Sequence, residues 1–256
     1  MVLGVIGGTG LEALPIFSSA VQENIVTPYG EVSLYTTKYK DIELCFLPRH
    51  GLTHSVPPHL INYRANIAAL SKVGAKQVLA FCSVGSMVES IFPGSLVLME
   101  QFVDATWGRE HTFSELGCVG HVEMTNPYCP RLSALAKEAA AADGIKLTPS
   151  GVYYCTQGPR FETPAEIRAY AALGCNVVGM TSVPETPLAR EAGLCLASIG
   201  VVGNYAAGLT AKIDGDDVTA KTRAAEYKIC AIIESVASVL TEERSCSCAE
   251  DGFISF

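Results

Sequence analysis

The amino-acid sequence predicts one α/β domain: a central mixed, twisted sheet covered by helices on both faces, a three-layer α/β/α stack. Short apolar runs recur along the chain, each ending in small or polar residues, and stretches of helical spacing fill the intervals. The runs are nearly continuous in hydrophobicity, as strands buried on both faces are. With 256 residues, 49% hydrophobic and only 17% charged, the chain can bury a large core.

Taken in order, Val2 to Ile6 runs into Gly7-Gly-Thr-Gly10, and Ile42 to Leu47 into Pro48-Arg-His-Gly51. Gln77 to Phe81 runs into Cys82-Ser-Val-Gly-Ser86, Leu96 to Met99 into Glu100, Asn176 to Met180 into Thr181-Ser182, and Leu194 to Val202 into Gly203-Asn204. Helical spacing marks Pro58 to Val73, Pro130 to Asp143, Thr163 to Leu173 and Glu185 to Ala192, with proline at or near the first turn. A last helix is expected over Thr219 to Leu240. The domain therefore spans 1–240, and a polar tail carrying Cys246-Ser-Cys248 spans 241–256. In such sheets ligands sit beyond the carboxyl ends of the strands, so the polar residues after each run are candidates for one shared site.

Composition excludes several functions. A net charge of −8, with 18 Lys and Arg scattered without a run, argues against tracking a nucleic-acid backbone. Met1 to Ile6 has no basic leader and turns glycine-rich early, and no stretch of about 18 apolar residues occurs to span a membrane. A cytoplasmic protein with no membrane partner is expected. Of ten cysteines, Cys45, Cys82, Cys118, Cys129, Cys155, Cys175, Cys195 and Cys230 are scattered singly, mostly inside apolar runs, where a thiol acts as a small hydrophobe. Cys246 and Cys248 sit in the polar tail without the nearby His or second Cys pair of a zinc motif, so no metal site is expected.

The loop chemistry points to a small anion. Gly7-Gly-Thr-Gly10 lets backbone N–H groups and the Thr9 hydroxyl approach a phosphate, although it is neither a Walker loop nor a dinucleotide fingerprint. Arg49 supplies a planar cationic fork and His50 an imidazole. Ser83 and Thr181 add donors after two further runs. Singly, the glycine loop reads as a tight turn and Arg49-His50 as a solvated surface pair. Their joint occurrence at strand ends favours phosphate.

The segment Gly151-Val-Tyr-Tyr-Cys-Thr-Gln-Gly-Pro-Arg-Phe-Glu-Thr-Pro-Ala-Glu166 and the run Val178-Gly-Met-Thr-Ser-Val-Pro-Glu185 resemble the nucleoside-binding core of the purine nucleoside and methylthioadenosine phosphorylase family. The resemblance extends from Ile6-Gly-Gly-Thr-Gly10 through Pro48-Arg-His-Gly51, Val56-Pro-Pro-His59 and Asn62-Tyr-Arg-Ala-Asn66 to Asn204. It implies that Thr9, Arg49, His50, Ser83 and Thr181 surround inorganic phosphate, that Met180 packs under the ribose and that Phe161 stacks on the purine. The implied reaction is phosphorolysis of a purine nucleoside to a free base and a ribose 1-phosphate or its 5-methylthio analogue. Phosphate is a co-substrate and no cofactor is implied; a 5′-methylthioadenosine phosphorylase is the alternative within the class, and a non-catalytic purine-binding protein of the same fold is the alternative from another class. The resemblance further implies a homotrimer or dimer of trimers, and thermophilic relatives use a tail cysteine pair in disulfides.

Base selectivity follows from hydrogen-bond complementarity. Methylthioadenosine phosphorylases meet the purine amino group with an aspartate after the late strand; here Asn204 stands at that position and Ala206 at a second acidic one. Asn204 can donate to O6 or N7 of a 6-oxopurine, and Glu162 can accept its N1 proton. Glu162 alternatively serves the start of the helix at Pro164, and Asn204 a turn. Asn204, Glu162 and His50 are the expected catalytic groups. Where purine nucleoside phosphorylases place a His against the 5′-hydroxyl, the resemblance puts Val218 or a close neighbour in this chain, an apolar group suited to methylthio. His121 is expected either at the 5′ pocket of a neighbouring subunit or as an ordinary surface residue.

Overall fold

The computed structural model describes residues 1–256 apart from 12–13, 116–118, 150 and 255. The strands are β1 (Val2–Gly7), β2 (Val21–Thr27), β3 (Gly30–Tyr39), β4 (Ile42–Pro48), β5 (Ala75–Ser86), β6 (Leu96–Leu98), β7 (Gln101–Ala105), β8 (Leu147–Pro149), β9 (Val152–Thr156), β10 (Cys175–Gly179) and β11 (Cys195–Tyr205). The helices are α1 (Tyr63–Lys72), α2 (Pro130–Ala142), α3 (Pro164–Ala172), α4 (Ser182–Glu191), α5 (Gly215–Arg223), α6 (Glu226–Val239) and α7 (Cys248–Asp251).

One eleven-stranded sheet runs β2-β3-β4-β1-β5-β10-β9-β7, with β11 pairing β5 and β6, and β8 pairing β6. It is mixed, as expected: β1 lies parallel to β4 and β5, and β11 parallel to β5, while β10 meets the end of β5 antiparallel. Successive side chains of the central strands enter opposite layers, because strand side chains alternate faces. Leu79 and Phe81 pack with Leu44, Phe46 and helices α2 and α6, whereas Val78, Ala80 and Cys82 pack with Cys45, Leu47 and helices α1 and α4. Each large side chain so buried stabilises the fold by about 1.5–3 kcal/mol.

Helix starts follow their local chemistry. The Asn62 side chain accepts the Ala65 N–H to open α1, and Thr163 and Glu166 form a reciprocal capping box at α3. Pro58 does not begin the helix; it opens a separate turn, Pro58–Leu60. The expected last helix is two, α5 and α6, broken at Ala224–Ala225, and α5 begins at Gly215 behind an Asp214 cap.

The β2–β3 hairpin went unanticipated because it lies at the sheet edge, where β2 is almost wholly exposed and shows no apolar alternation. A polar ladder joins its strands instead: Asn24 Nδ2 donates to Glu31 at 3.0 Å and Ser33 Oγ to Asn24 at 2.9 Å. Strands β7, β8 and β9 were likewise unanticipated.

The described residues of the tail 241–256 are packed on the body. Arg190 holds Asp251 at 2.7 Å, the N–H groups of Phe253 and Ile254 donate to the Glu191 carbonyl, and Cys248 is buried in the main core. Cys45, Cys82, Cys129, Cys155, Cys175 and Cys195 are buried and Cys230 half-buried, while Cys118 lies outside the described residues. Among the described residues no helix is long and apolar enough to cross a membrane.

Candidate active site

The carboxyl ends of β1, β4, β5, β10 and β11 converge on a cavity of about 400 Å³. The register makes this unavoidable. Gly7 at the end of β1 pairs Pro48 at the end of β4, so Gly8-Thr9 and Arg49-His50 leave the sheet side by side, with the Arg49 N–H on the Gly7 carbonyl at 2.9 Å. The loop passes so close to β5 that a Cβ on Gly8 would stand 2.8 Å from Arg49 Nη1 and 3.0 Å from the Phe81 carbonyl. Only glycine fits there.

Thr9, His50, Ser83 and Thr181 line the cavity. His50 is almost fully buried and held through Nδ1, 2.8 Å from the Val56 carbonyl, against the His54 ring at 4.7 Å. A carbonyl accepts, so Nδ1 carries the proton and Nε2 is the basic nitrogen of the neutral ring. Ser83 Oγ accepts from the Thr222 hydroxyl at 3.1 Å, and the Thr181 N–H donates to the Tyr153 hydroxyl at 3.2 Å.

Arg49 departs from the expectation of a fork offered to an anion. Its Nε and Nη2 donate to Glu185 Oε2 and Oε1, both at 2.7 Å, and Nη1 donates to the Phe81 carbonyl at 2.8 Å. A carboxylate of the protein already fills the bidentate edge, and Arg49 stands behind Gly8 instead of on the cavity wall. Its N–H groups outside these three bonds are what remain for phosphate. Burial opposes the Arg49 charge, and Glu185 more than compensates, holding it above the ordinary arginine range.

Phe161, Glu162, Met180, Asn204 and Val218 also line the cavity. Phe161 is exposed, presenting a ring at the mouth, whereas Glu162 is 9% exposed. Burial raises the Glu162 carboxyl above its usual range, although the Thr156 hydroxyl donates to its Oε1 at 2.7 Å and pulls the other way. The capping role is taken by Glu166, which receives the Thr163 N–H at 2.7 Å, so Glu162 is not needed at that helix. Asn204 pairs Gly85 in the sheet and donates Nδ2 to the Tyr205 carbonyl at 2.7 Å, leaving its second N–H and its oxygen for a ligand. Val218 packs so tightly on Gly203 that a Cβ there would stand 2.7 Å from it. His121 is exposed and outside the cavity of its own chain.

Two residues that sequence reasoning missed position this wall. Glu185 closes the run Val178-Gly-Met-Thr-Ser-Val-Pro-Glu185, where no neighbouring residue marks its pairing with Arg49. Arg109 is nearly buried and binds the carbonyls of Met180 at 2.9 Å, Val183 at 2.7 Å and Gln157 at 2.8 Å, fastening the segment after β10 to the end of β9. Its partners are backbone atoms distant in sequence, so no local pattern marks it.

The tail pair finds its second pair far away in sequence: Cys129, Cys195, Cys246 and Cys248 bring their sulfurs within 4.8 Å of one another.

The family model described as Phosphorylase superfamily matches residues 2–238. A probable 6-oxopurine nucleoside phosphorylase of Dictyoglomus turgidum is 43% identical, covering 97% of this chain and 95% of its own. A probable S-methyl-5′-thioinosine phosphorylase of Methanothermobacter thermautotrophicus is 42% identical, covering 96% and 87% respectively. Among solved structures, methylthioadenosine phosphorylase from Schistosoma mansoni in complex with adenine superimposes with a TM-score of 0.89 at 32% identity, covering 95% of this chain and 93% of that one.

Proposed function

The chain belongs to the phosphorylase superfamily, and from that premise we propose that it is a purine nucleoside phosphorylase selective for 6-oxopurines, with inorganic phosphate as co-substrate. The observation that carries this reading is the presence of Glu162 and Asn204 on one cavity wall. A buried carboxylate accepting N1–H and an amide donating to O6 or N7 match a 6-oxopurine, while adenine would turn its N1 lone pair toward Glu162. A site built around hydrogen bonds can reject such a mismatch by roughly 10⁴-fold.

The geometry supports a division of labour along β5. Gly8 of the Gly7-Gly-Thr-Gly10 loop stands against Phe81 and Cys82, the Thr222 hydroxyl meets Ser83, and the Asn204 amide stands against Gly85. From Ser83 to Gly85 is roughly 7 Å at strand rise, room for one pentose between phosphate and base. A phosphate oxygen attacks the anomeric carbon as the bond to N9 breaks, and the electron pair leaves on the purine. Asn204 stabilises the growing negative charge at N7 or O6, and a proton from solvent completes the free base. His50 and the hydroxyls of Thr9, Ser83 and Thr181 hold the nucleophile, so catalysis is positioning and electrostatics without a nucleophilic side chain.

Val218 and Ile213 give the cavity an apolar wall, which favours a 5′-methylthio group over a hydroxyl. We extend the reading to a homotrimer or dimer of trimers in which His121 of one subunit reaches the site of another. The test is base release from inosine, guanosine, methylthioinosine and methylthioadenosine, each with and without phosphate. Phosphate-dependent release from the 6-oxo substrates supports the reading; phosphate-independent hydrolysis, or preference for methylthioadenosine, refutes it.

A further inference from the structure

The strongest feature outside the cavity is the sulfur cluster. Cys129 is the residue before the first turn of α2, Cys195 opens β11, and Cys246 and Cys248 come from the tail. All four thiols are free, Cys129, Cys195 and Cys248 are buried and Cys246 is half-buried. Cys195 and Cys246 have their sulfurs 3.4 Å apart, and all four lie within 4.8 Å of one another. Tetrahedral zinc with Zn–S bonds of about 2.3 Å places its sulfurs roughly 3.8 Å apart, so the cage needs adjustments of less than about an ångström.

We propose that Cys129, Cys195, Cys246 and Cys248 form a structural site for one soft, tetrahedral divalent cation, of which Zn²⁺ is the natural occupant.

The surroundings are those of thiolates. The Leu132 N–H donates to Cys129 Sγ at 3.4 Å, and Arg244 Nη1 approaches Cys195 Sγ at 4.0 Å. Arg131 also lies against Cys195 and Cys246, donates to Gln77, and has a buried Nε with no partner. Four thiolates around a divalent cation carry two net negative charges, and two guanidiniums beside them balance that charge. Disulfide sulfurs would carry no charge for either arginine to meet. Binding releases the thiol protons, so each sulfur enters as thiolate and no redox step is involved.

Four protein ligands leave no open position, which marks the site as structural. It is also remote from the chemistry. Cys195 and Asn204 lie at opposite ends of β11, roughly 30 Å apart at strand rise. The metal would tie the tail to the start of that strand and to α2.

The test uses the full chain produced with zinc and purified under reducing conditions. One zinc per chain is expected by elemental analysis, with Tm falling on chelation and recovering when zinc returns. Titrating Co²⁺ into the stripped chain should give the intense absorption of tetrahedral cobalt–thiolate, a readout that needs no variant. The C246S/C248S double variant should lose the zinc and keep its kcat/KM. A reduced chain that takes up neither ion, zinc retained by the double variant, or mapping of these sulfurs into disulfides in chain made with zinc present would each overturn the proposal.

Discussion

Arg49 and Glu185 meet through two parallel hydrogen bonds of 2.7 Å, with side chains only 1% and 4% exposed. They join the end of β4 to the first turn of α4, across 136 positions of sequence. The loop after β4 is therefore tied to the start of α4 by an ion pair within the protein. Breaking a buried pair by removing one partner costs about 3–5 kcal/mol, because the other charge is left uncompensated. Glu185→Ala and Arg49→Ala should each destabilise by that order, and the double variant by less than their sum. Both should raise the phosphate KM. Denaturant melts of the four proteins in the cycle read the coupling; additive losses would mean that the pair does not act as a unit.

Gly8 faces those same groups. A methyl group placed there would press on Arg49 Nη1, which Glu185 and Phe81 hold in place, and on the Phe81 carbonyl. Gly8→Ala should lower Tm and raise the phosphate KM more than the nucleoside KM. An unchanged phosphate KM would remove this loop from the anion site.

Arg109 predicts a different split. Its guanidinium spans the Met180, Val183 and Gln157 carbonyls, which a point charge cannot do. Arg109→Lys should raise the nucleoside KM by at least tenfold, while the phosphate KM changes much less. Steady-state kinetics with each substrate varied in turn check this, and equal changes in both would make Arg109 merely a stability residue.

Glu162 predicts a pH dependence. Burial raises its carboxyl in the folded protein, so on titration upward the unfolded chain loses this proton first. The group favours the fold most below the ordinary carboxylate range and withdraws that contribution as pH rises through its raised pKa. In the proposed reading the ionised form of Glu162 accepts N1–H, so kcat/KM for inosine should rise over that same interval. Glu162→Gln should lower kcat/KM and remove this acid limb; a limb that survives belongs to another group.

The sequence made the central strands legible because both their faces are apolar: Val78 to Phe81 shows a continuous run whichever layer each side chain enters. The β2–β3 hairpin was not, since its polar ladder lacks that pattern. The site's outline was legible for a related reason: Thr9, His50 and Thr181 follow strand ends, Ser83 and Asn204 lie in the last residues of β5 and β11, and these carboxyl ends converge. What holds these residues was not legible. Glu185 on Arg49, Arg109 on Met180 and the pairing of Cys129 and Cys195 with the tail cysteines are long-range contacts set by how the strands cross.

The most direct measurement is the ratio of kcat/KM for methylthioinosine to that for methylthioadenosine, in the wild type and in Asn204→Asp. The wild type should favour methylthioinosine. Asn204→Asp replaces an amide donor with an acceptor and should cut the ratio by at least tenfold, incompletely because Glu162 still faces N1; adding Glu162→Ser should move it further. A wild type that prefers methylthioadenosine, or a ratio that neither substitution changes, would contradict the assignment of Asn204 and Glu162 as the residues that read the base.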